Sequence, residues 1–330
     1  MHDVTSPGYW PLIAAAVSFA VAYAVIHWLL RAGLMPMDRP NARSLHAQAV
    51  PRSGGVGIVA GLGVAVLLAE VPGITVLLAA CTGLAVVSFA DDVVGLPTHW
   101  RLLAHMLAAA CLLLFGLDRP VELIHLLWLL PAVVWMTNLY NFMDGSDGLA
   151  GGMALFGFGA LGIAAWLGGD AGIAGMALSL AAGAAAFLRF NFPPARVFMG
   201  DVGSIPLGFM AAGLALMGWQ RELWSLSFPL LVFSPFIVDA TTTLVRRVLK
   251  REKIWLAHKQ HYYQRLIRLG WGHRKTVLAE YALMAAACAS AFFGESGAGG
   301  YVILAIWLLL YVLLLGWIDF RWRRQRGGVR

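Results

Sequence analysis

From Tyr9 to Leu30 the chain contains no Asp, Glu, Lys or Arg, an apolar run longer than the roughly 20 residues that cross a bilayer core about 30 Å thick. This run, 8–32 at its widest, is followed by others near 54–70, 73–90, 100–117, 121–140, 149–168, 171–189, 204–219, 224–248, 277–293 and 300–319. Residues are 60% hydrophobic and only 12% charged, against about 25% charged in soluble domains, so water offers no way to keep this surface dry. The chain therefore reads as an all-α polytopic integral membrane protein with about eleven transmembrane helices. The runs at 54–70 and 204–219 are the weakest, because Gly and Pro interrupt them. The first run is too long for a signal peptide and lacks its cationic start and small-residue cleavage pattern; it counts as the first helix.

With the amino terminus outside, alternate connections collect the cationic residues. Of 24 Lys and Arg, only Arg119 and Arg221 then fall outside, which is the orientation that the positive-inside rule selects. The tail RWRRQRGGVR becomes cytoplasmic, as an odd number of spans requires. No soluble domain, linker or internal repeat is visible, so one membrane domain covers 1–330, with cytoplasmic loops near 33–53, 91–101, 138–152, 190–204 and 249–276. The formal charge of +7 suits an anionic membrane face rather than nucleic acid, since no soluble basic domain carries it. Cys81, Cys111 and Cys288 lie inside apolar runs without CxxC spacing and read as small core residues.

Five polar stretches, 38–55, 91–101, 138–152, 198–208 and 258–275, all fall on the cytoplasmic side in this orientation. Adjacent Asp91 and Asp92 repel each other unless a cation or donor is close; a helix end solvated by headgroups is the plainer alternative. Arg101 opens the next helix with a charge suited to phosphate. In NLYNFMDGSDGLAGG, Asn138, Asn141, Asp144 and Asp147 recur every third residue and would share a face if the turn stays helical. The glycines there let backbone N–H groups approach a ligand. Asp201, in FMGDVGS, reads as a hard oxygen ligand for Mg²⁺ beside amides that meet phosphate, or as a simple helix cap.

His258 and His261 precede Arg265, Arg268, His273, Arg274 and Lys275. Two histidines without more ligands suit phosphate contact or proton handling better than a transition metal, with a basic loop on the lipid surface as the alternative. Asp38, Arg43, His46 and Arg52, ahead of Gly54 and Gly55, suit an anionic ligand. Asp239 is an ionisable group near or inside the bilayer, with Arg246 as a candidate partner.

Taken in order, D-x-P-x-x-R-x-x-H from Asp38 with P-x-x-G-G from Pro51, DD-x-x-G-L from Asp91, N-x-x-N-x-x-D-G-x-D-G-L-A from Asn138, F-x-G-D-x-G-S from Phe198 and H-x-x-H from His258 resemble the polyprenyl-phosphate N-acetylhexosamine-1-phosphate transferase family over nearly the whole chain. NLYNFMDG and HKQHYYQRL look nearer to its O-antigen-initiating branch. The resemblance implies transfer of N-acetylhexosamine-1-phosphate, as GlcNAc or a deoxy or amino-modified relative, from a UDP-sugar to undecaprenyl phosphate with release of UMP. The implied setting is the cytoplasmic face of a bacterial inner membrane, with Mg²⁺ as cofactor and Mn²⁺ as a substitute. It further implies that Asp201 binds the metal, with Asp91 and Asp92 at the metal and lipid phosphate, one of them a proposed base. Asn138, Asn141, Asp144 and Asp147 would shape the nucleotide-sugar side, His258 and His261 would contact diphosphate or sugar, and Arg43, His46 and Arg101 would contact the lipid phosphate or diphosphate. A homodimer is a compatible assembly.

Two departures bear on the donor and the packing. HKQHYY lacks the three-histidine run of the peptidoglycan branch, which argues against a UDP-muramyl-pentapeptide donor. Ser146 stands where an aliphatic residue is usual between the two DG pairs. The rival reading, a transporter or proton-coupled channel, would place ionisable groups near the midplane on broken helices of matching halves, whereas the acids here gather at one face.

Overall fold

The computed structural model describes residues 8–38, 49–67, 74–253, 258–294 and 299–327. Arg43 and His46 lie outside the described residues, and so does the side chain of Asp92. Backbone N–H and C=O groups in hydrocarbon must be satisfied within their own segment, which turns apolar runs of this length into helices. They are α1 (Trp10–Ala32), α2 (Gly55–Leu67), α3 (Ile74–Val94), α4 (Thr98–Cys111, continuing as a π-turn Leu112–Gly116), α5 (Leu123–Phe142), α6 (Leu149–Leu167), α7 (Ala171–Asn191) and α8 (Asp201–Gln220). There follow α9 (Ser227–Val232), α10 (Ser234–Leu249), α11 (Tyr262–Leu266, continuing as a π-turn Ile267–Trp271), α12 (Gly272–Gly294) and α13 (Gly299–Gly327). The strands β1 (Met37–Asp38) and β2 (Val50–Pro51) pair antiparallel between α1 and α2, Met37 opposite Pro51.

Among the described residues, nine helices are long and apolar enough to cross a membrane. Every one of the eleven apolar runs is helical, but two are not full-length single helices. The run at 54–70 is described as far as Leu67. The run at 224–248 breaks at Phe233, because Pro235 has no N–H to continue the ladder and its ring crowds the preceding turn. The Ser234 hydroxyl donates to the Leu231 carbonyl at 2.7 Å, satisfying an acceptor at the break. By contrast the run at 204–219, expected to be weak, is the unbroken α8, which continues through an interior proline, Pro206.

A helix that is apolar all round belongs inside a bundle, and α8 shows this: every residue from Val202 to Ala211 is buried. It packs against α5 and α3 on its main flanks and touches α2, α6 and α7. Gly208 sets its approach to α5, since a Cβ there would lie 2.7 Å from the Met136 carbonyl oxygen and 2.8 Å from Tyr140 Cβ. Around this post, α1 packs on α2 and α7, and α6 on α7.

At one end of the bundle Arg221 ties two connections together, with Nε 2.6 Å from Asp118 and Nη1 2.8 Å from Asp170. Arg119 pairs there with Glu222 at 3.2 Å. Both cations that charge partition had set apart from the rest thus lie at the same end. The polar stretches meet at the other end, where α3, α5, α7 and α10 finish and α4, α6, α8 and α11 begin.

Gly208→Val is expected to push α8 off α5 and lower the thermal midpoint in detergent, at a cost of about 1–3 kcal/mol typical of overpacking. An unchanged midpoint would show that this crossing has slack.

Candidate active site

Asp201 is the first residue of α8, and the backbone ahead of it is stitched to the first polar stretch. The N–H groups of Gly54 and Gly55 donate to the carbonyls of Phe198 and Met199 at 2.9 and 3.0 Å, and Phe198 N–H donates to Pro51 O at 2.8 Å. Gly200 completes the approach with φ 75°, a left-handed conformation that glycine adopts without strain, and a Cβ on it would lie 3.2 Å from Ser53 N. On the other side the Asn141 amide donates to Asp201 Oδ1 and to Ser204 Oγ, both at 2.9 Å.

Arg101, in the first turn of α4, joins two acids. Its Nη1 donates to Asp91 Oδ2 at 2.8 Å and stands 3.8 Å from Asp201 Oδ2. The second Asp91 oxygen accepts from Leu96 N–H at 2.7 Å. The close donor that the adjacent acids called for is therefore this guanidinium, together with a turn amide.

Because α5 ends at Phe142, the three-residue period does not continue as one helical face. Asn138 and Asn141 sit on α5, while Asp144 lies in the turn. Burial and then the charge of Asp201 push the Asp144 carboxyl well above the usual range, and the Gly200 N–H that it accepts only partly opposes this. Asp147 turns elsewhere: its Oδ2 accepts from Ala195 N–H at 3.0 Å and its Oδ1 is 3.6 Å from His273 Nδ1. It braces the α7–α8 connection and does not line the cavity.

That cavity, of about 500 Å³, is lined by Arg101, Asn138, Asn141, Asp144, Asp201, His258 and His261 together with Thr98, His105, Tyr263 and Gln264. The His258 and His261 rings stack at 4.9 Å. Burial, then the neighbouring His261 and Arg247, push His258 down to about 4, so it meets a ligand at neutral pH as an uncharged imidazole. The cationic residues after His261 do not line the cavity. Arg265 lies 4.6 Å over Tyr262, Arg268 lies 4.8 Å over Trp322 and Lys275 lies 4.4 Å over Trp271, leaving Arg101 as the Arg or Lys that lines it among the described residues. Among the described residues no cluster of three or more His, Cys, Asp or Glu forms a metal cage.

Several participants were not evident from motifs. His105 lies four residues after Arg101, a spacing that puts both on one face of α4; it is buried, bonds Asn138, and its Nδ1 has no partner among the described residues. Asp239 does not pair with Arg246, as the sequence suggested. Arg246 instead reaches Asp319 on α13 at 2.6 Å, which also takes Arg265 at 2.6 Å, while Asp239 receives His261. The single acid of the last helix, at the end of its apolar run and just before RWRRQR, was the available signal for Asp319. Ser146, the departure between the two DG pairs, has its hydroxyl 3.0 Å from His273 Nδ1, tying the α5–α6 turn to the start of α12.

The family model for glycosyl transferase family 4 matches residues 74–219, the segment from α3 to the end of α8. The chain is 30% identical over 296 residues to a probable undecaprenyl-phosphate N-acetylglucosaminyl 1-phosphate transferase of Bacillus subtilis, covering 84% of this chain and 81% of that protein. It is 31% identical over 326 residues to a decaprenyl-phosphate N-acetylglucosaminephosphotransferase of Mycolicibacterium smegmatis, with 84% and 80% covered. An undecaprenyl-phosphate alpha-N-acetylglucosaminyl 1-phosphate transferase of Yersinia pestis is 28% identical over 342 residues, with 93% and 91% covered.

His258 links the cavity to acid sensitivity. The unfolded ring takes up its proton near 6.5, the folded ring only near 4, so the unfolded state binds more protons between these values and stability falls as pH drops through that window. His258→Gln is expected to flatten the dependence of thermal midpoint on pH from about 6.5 to about 4. A mutant profile superimposing on wild type would mean that the ring protonates equally in both states.

Proposed function

Because the chain belongs to the polyprenyl-phosphate N-acetylhexosamine-1-phosphate transferase family, within glycosyl transferase family 4, and is thus a multi-pass membrane enzyme that transfers a sugar phosphate to a polyprenyl phosphate, we propose that its donor is UDP-GlcNAc or a deoxy or amino-modified relative and its acceptor undecaprenyl phosphate. UMP is released, and the lipid-diphosphate sugar initiates O-antigen or another surface polysaccharide. The reaction takes place at the cytoplasmic face of a bacterial inner membrane. One observation carries this reading: Asp144, Asp201, Arg101 and the His258–His261 pair, from four separate stretches, line one cavity. The GlcNAc phosphotransferases among its relatives support the donor class.

The transfer joins a lipid phosphate oxygen to the sugar-bearing phosphorus of the donor and breaks its bridge to UMP. Both reactants are anions, so the site must first offset their repulsion. Arg101, aligned by Asp91, supplies one positive charge in the cavity wall. A phosphomonoester with a second pKa near 6 is mostly deprotonated at neutral pH, so neither Asp91 nor Asp92 needs to act as a strong base. Asp144 and Asp201 fit Mg²⁺ chemically, as two close hard-oxygen acids whose charges oppose each other; Mg²⁺ favours one or two carboxylates plus substrate phosphates over a full protein cage. When bound there, the ion would supply charge neutralisation for the phosphoryl transfer, and Mn²⁺ would serve by the same oxygen chemistry. Asp91, whose oxygens are engaged by Arg101 and Leu96 N–H, aligns the guanidinium for phosphate. The transporter reading is disfavoured by the gathering of the motif acids Asp91, Asp144 and Asp201 around one end of the bundle.

Purified protein in detergent, given Mg²⁺, undecaprenyl phosphate and UDP-GlcNAc, is expected to release UMP and form a lipid-linked diphosphate sugar. A folded protein that releases no UMP from any of a panel of UDP-N-acetylhexosamines would overturn the proposal. Asp201→Asn should lower turnover by at least about 100-fold, as loss of a charge-stabilising group does, with its thermal midpoint retained; normal turnover would remove Asp201 from the centre.

A further inference from the structure

Asp239 on α10 is 6% exposed and is not part of the cavity wall, yet its carboxylate is fully used. It accepts from Tyr262 N–H at 2.9 Å, Tyr263 N–H at 3.0 Å and the Thr243 hydroxyl at 3.1 Å, and stands 3.2 Å from His261 Nδ1. His261 does line the cavity. Its ring stacks with His258 at 4.9 Å and with Tyr263 at 5.8 Å, with interplanar angles of 27° and 19°.

Two neighbours make opposite demands on the His261 side chain. The Gln264 backbone N–H donates to it in the capping box that starts α11, which wants a bare acceptor nitrogen. The Asp239 carboxylate wants Nδ1–H, and a bare Nδ1 would set two lone pairs against each other at 3.2 Å. A hydrogen bond to an ionised acceptor is about twice as strong as one between neutral groups, so Asp239 decides the contest.

We propose that Asp239 is a positioning residue that fixes His261 with its proton on Nδ1 and so presents Nε2 to the substrate. This rests on the transferase reading, in which His261 meets the donor diphosphate. Held in this way, Nε2 can accept a hydrogen bond from the donor, or, in the imidazolium form, donate one to a phosphoryl oxygen without releasing its proton while Asp239 supports the charge. An acid behind a histidine performs the same two tasks in hydrolytic triads. No bond to Asp239 is made or broken.

The test uses the full chain in detergent, with ¹⁵N spectra of the histidine rings on the alkaline side of their titration and His261 identified by difference against H261Q. The expected wild-type result is protonated Nδ1 and bare Nε2. D239N is expected to move the proton to Nε2 and lower turnover with UDP-GlcNAc and undecaprenyl phosphate by about 10- to 100-fold, the usual cost of losing a group that orients a functional side chain, with the larger share in kcat rather than KM. In an H261Q background D239N should add no further loss, as groups acting through one another do.

A bare Nδ1 in the wild type would overturn the proposal. So would a D239N variant that slows turnover without changing the tautomer, or one that slows H261Q further. If D239N does not fold, the wild-type tautomer decides alone. If no UDP-sugar is turned over by wild type, the transferase reading fails while the tautomer still decides the Asp239–His261 linkage.

Discussion

A helix with no face left for solvent can show an acid only at its end. That constraint on α8 governs the site: its length is enclosed by α5, α3 and their neighbours, and Asp201 emerges at its first residue. Any charge at such a boundary must find donors among the ends of adjacent helices, because the hydrocarbon supplies none. For Asp201 the donor is Asn141 from the end of α5, and the nearby positive charge is Arg101 from the start of α4, 3.8 Å away. The fold thus makes the cavity by letting several helices finish or begin at one level around a buried post.

The same accounting separates the acids by task. Asp91 and Asp147 have both oxygens near donors from the protein itself and hold Arg101 and the α7–α8 connection. Asp144 and Asp201 line the same cavity close enough for the charge of Asp201 to raise the pKa of Asp144. His258, kept neutral by its surroundings, contributes hydrogen bonding without adding to the positive charge, which in this wall comes from Arg101.

Hydropathy made the helical runs legible, since length and apolar content are properties of each segment alone. It could not show that the run at 224–248 breaks at Phe233, because a proline near a helix start and one near its middle look alike until the start is known. Pro206 lies inside α8 and leaves it unbroken, whereas Pro235 takes the first turn of α10 and marks the break. Motif order likewise singled out Asp201, Arg101, Asn141 and Asp144, which the fold brings to one cavity and which lie close to their own chain turns. Asp147 matched the same period but turned away, because α5 ended two residues before Asp144. The partners of Asp239 and Asp319, and the Ser146–His273 contact, join segments far apart in sequence. No local pattern encodes them, and only packing of α10, α11, α12 and α13 brings them together.

The crossed amides between 51–55 and 198–199 have a further consequence. Gly54, Gly55 and Phe198 each spend their N–H on the opposite segment, so neither segment can peel away without exposing the other's donors to an apolar surround. In hydrogen-exchange terms these amides form one cooperative opening unit. The chain entering α2 and the residues just ahead of Asp201 are therefore tied to each other through main chain alone.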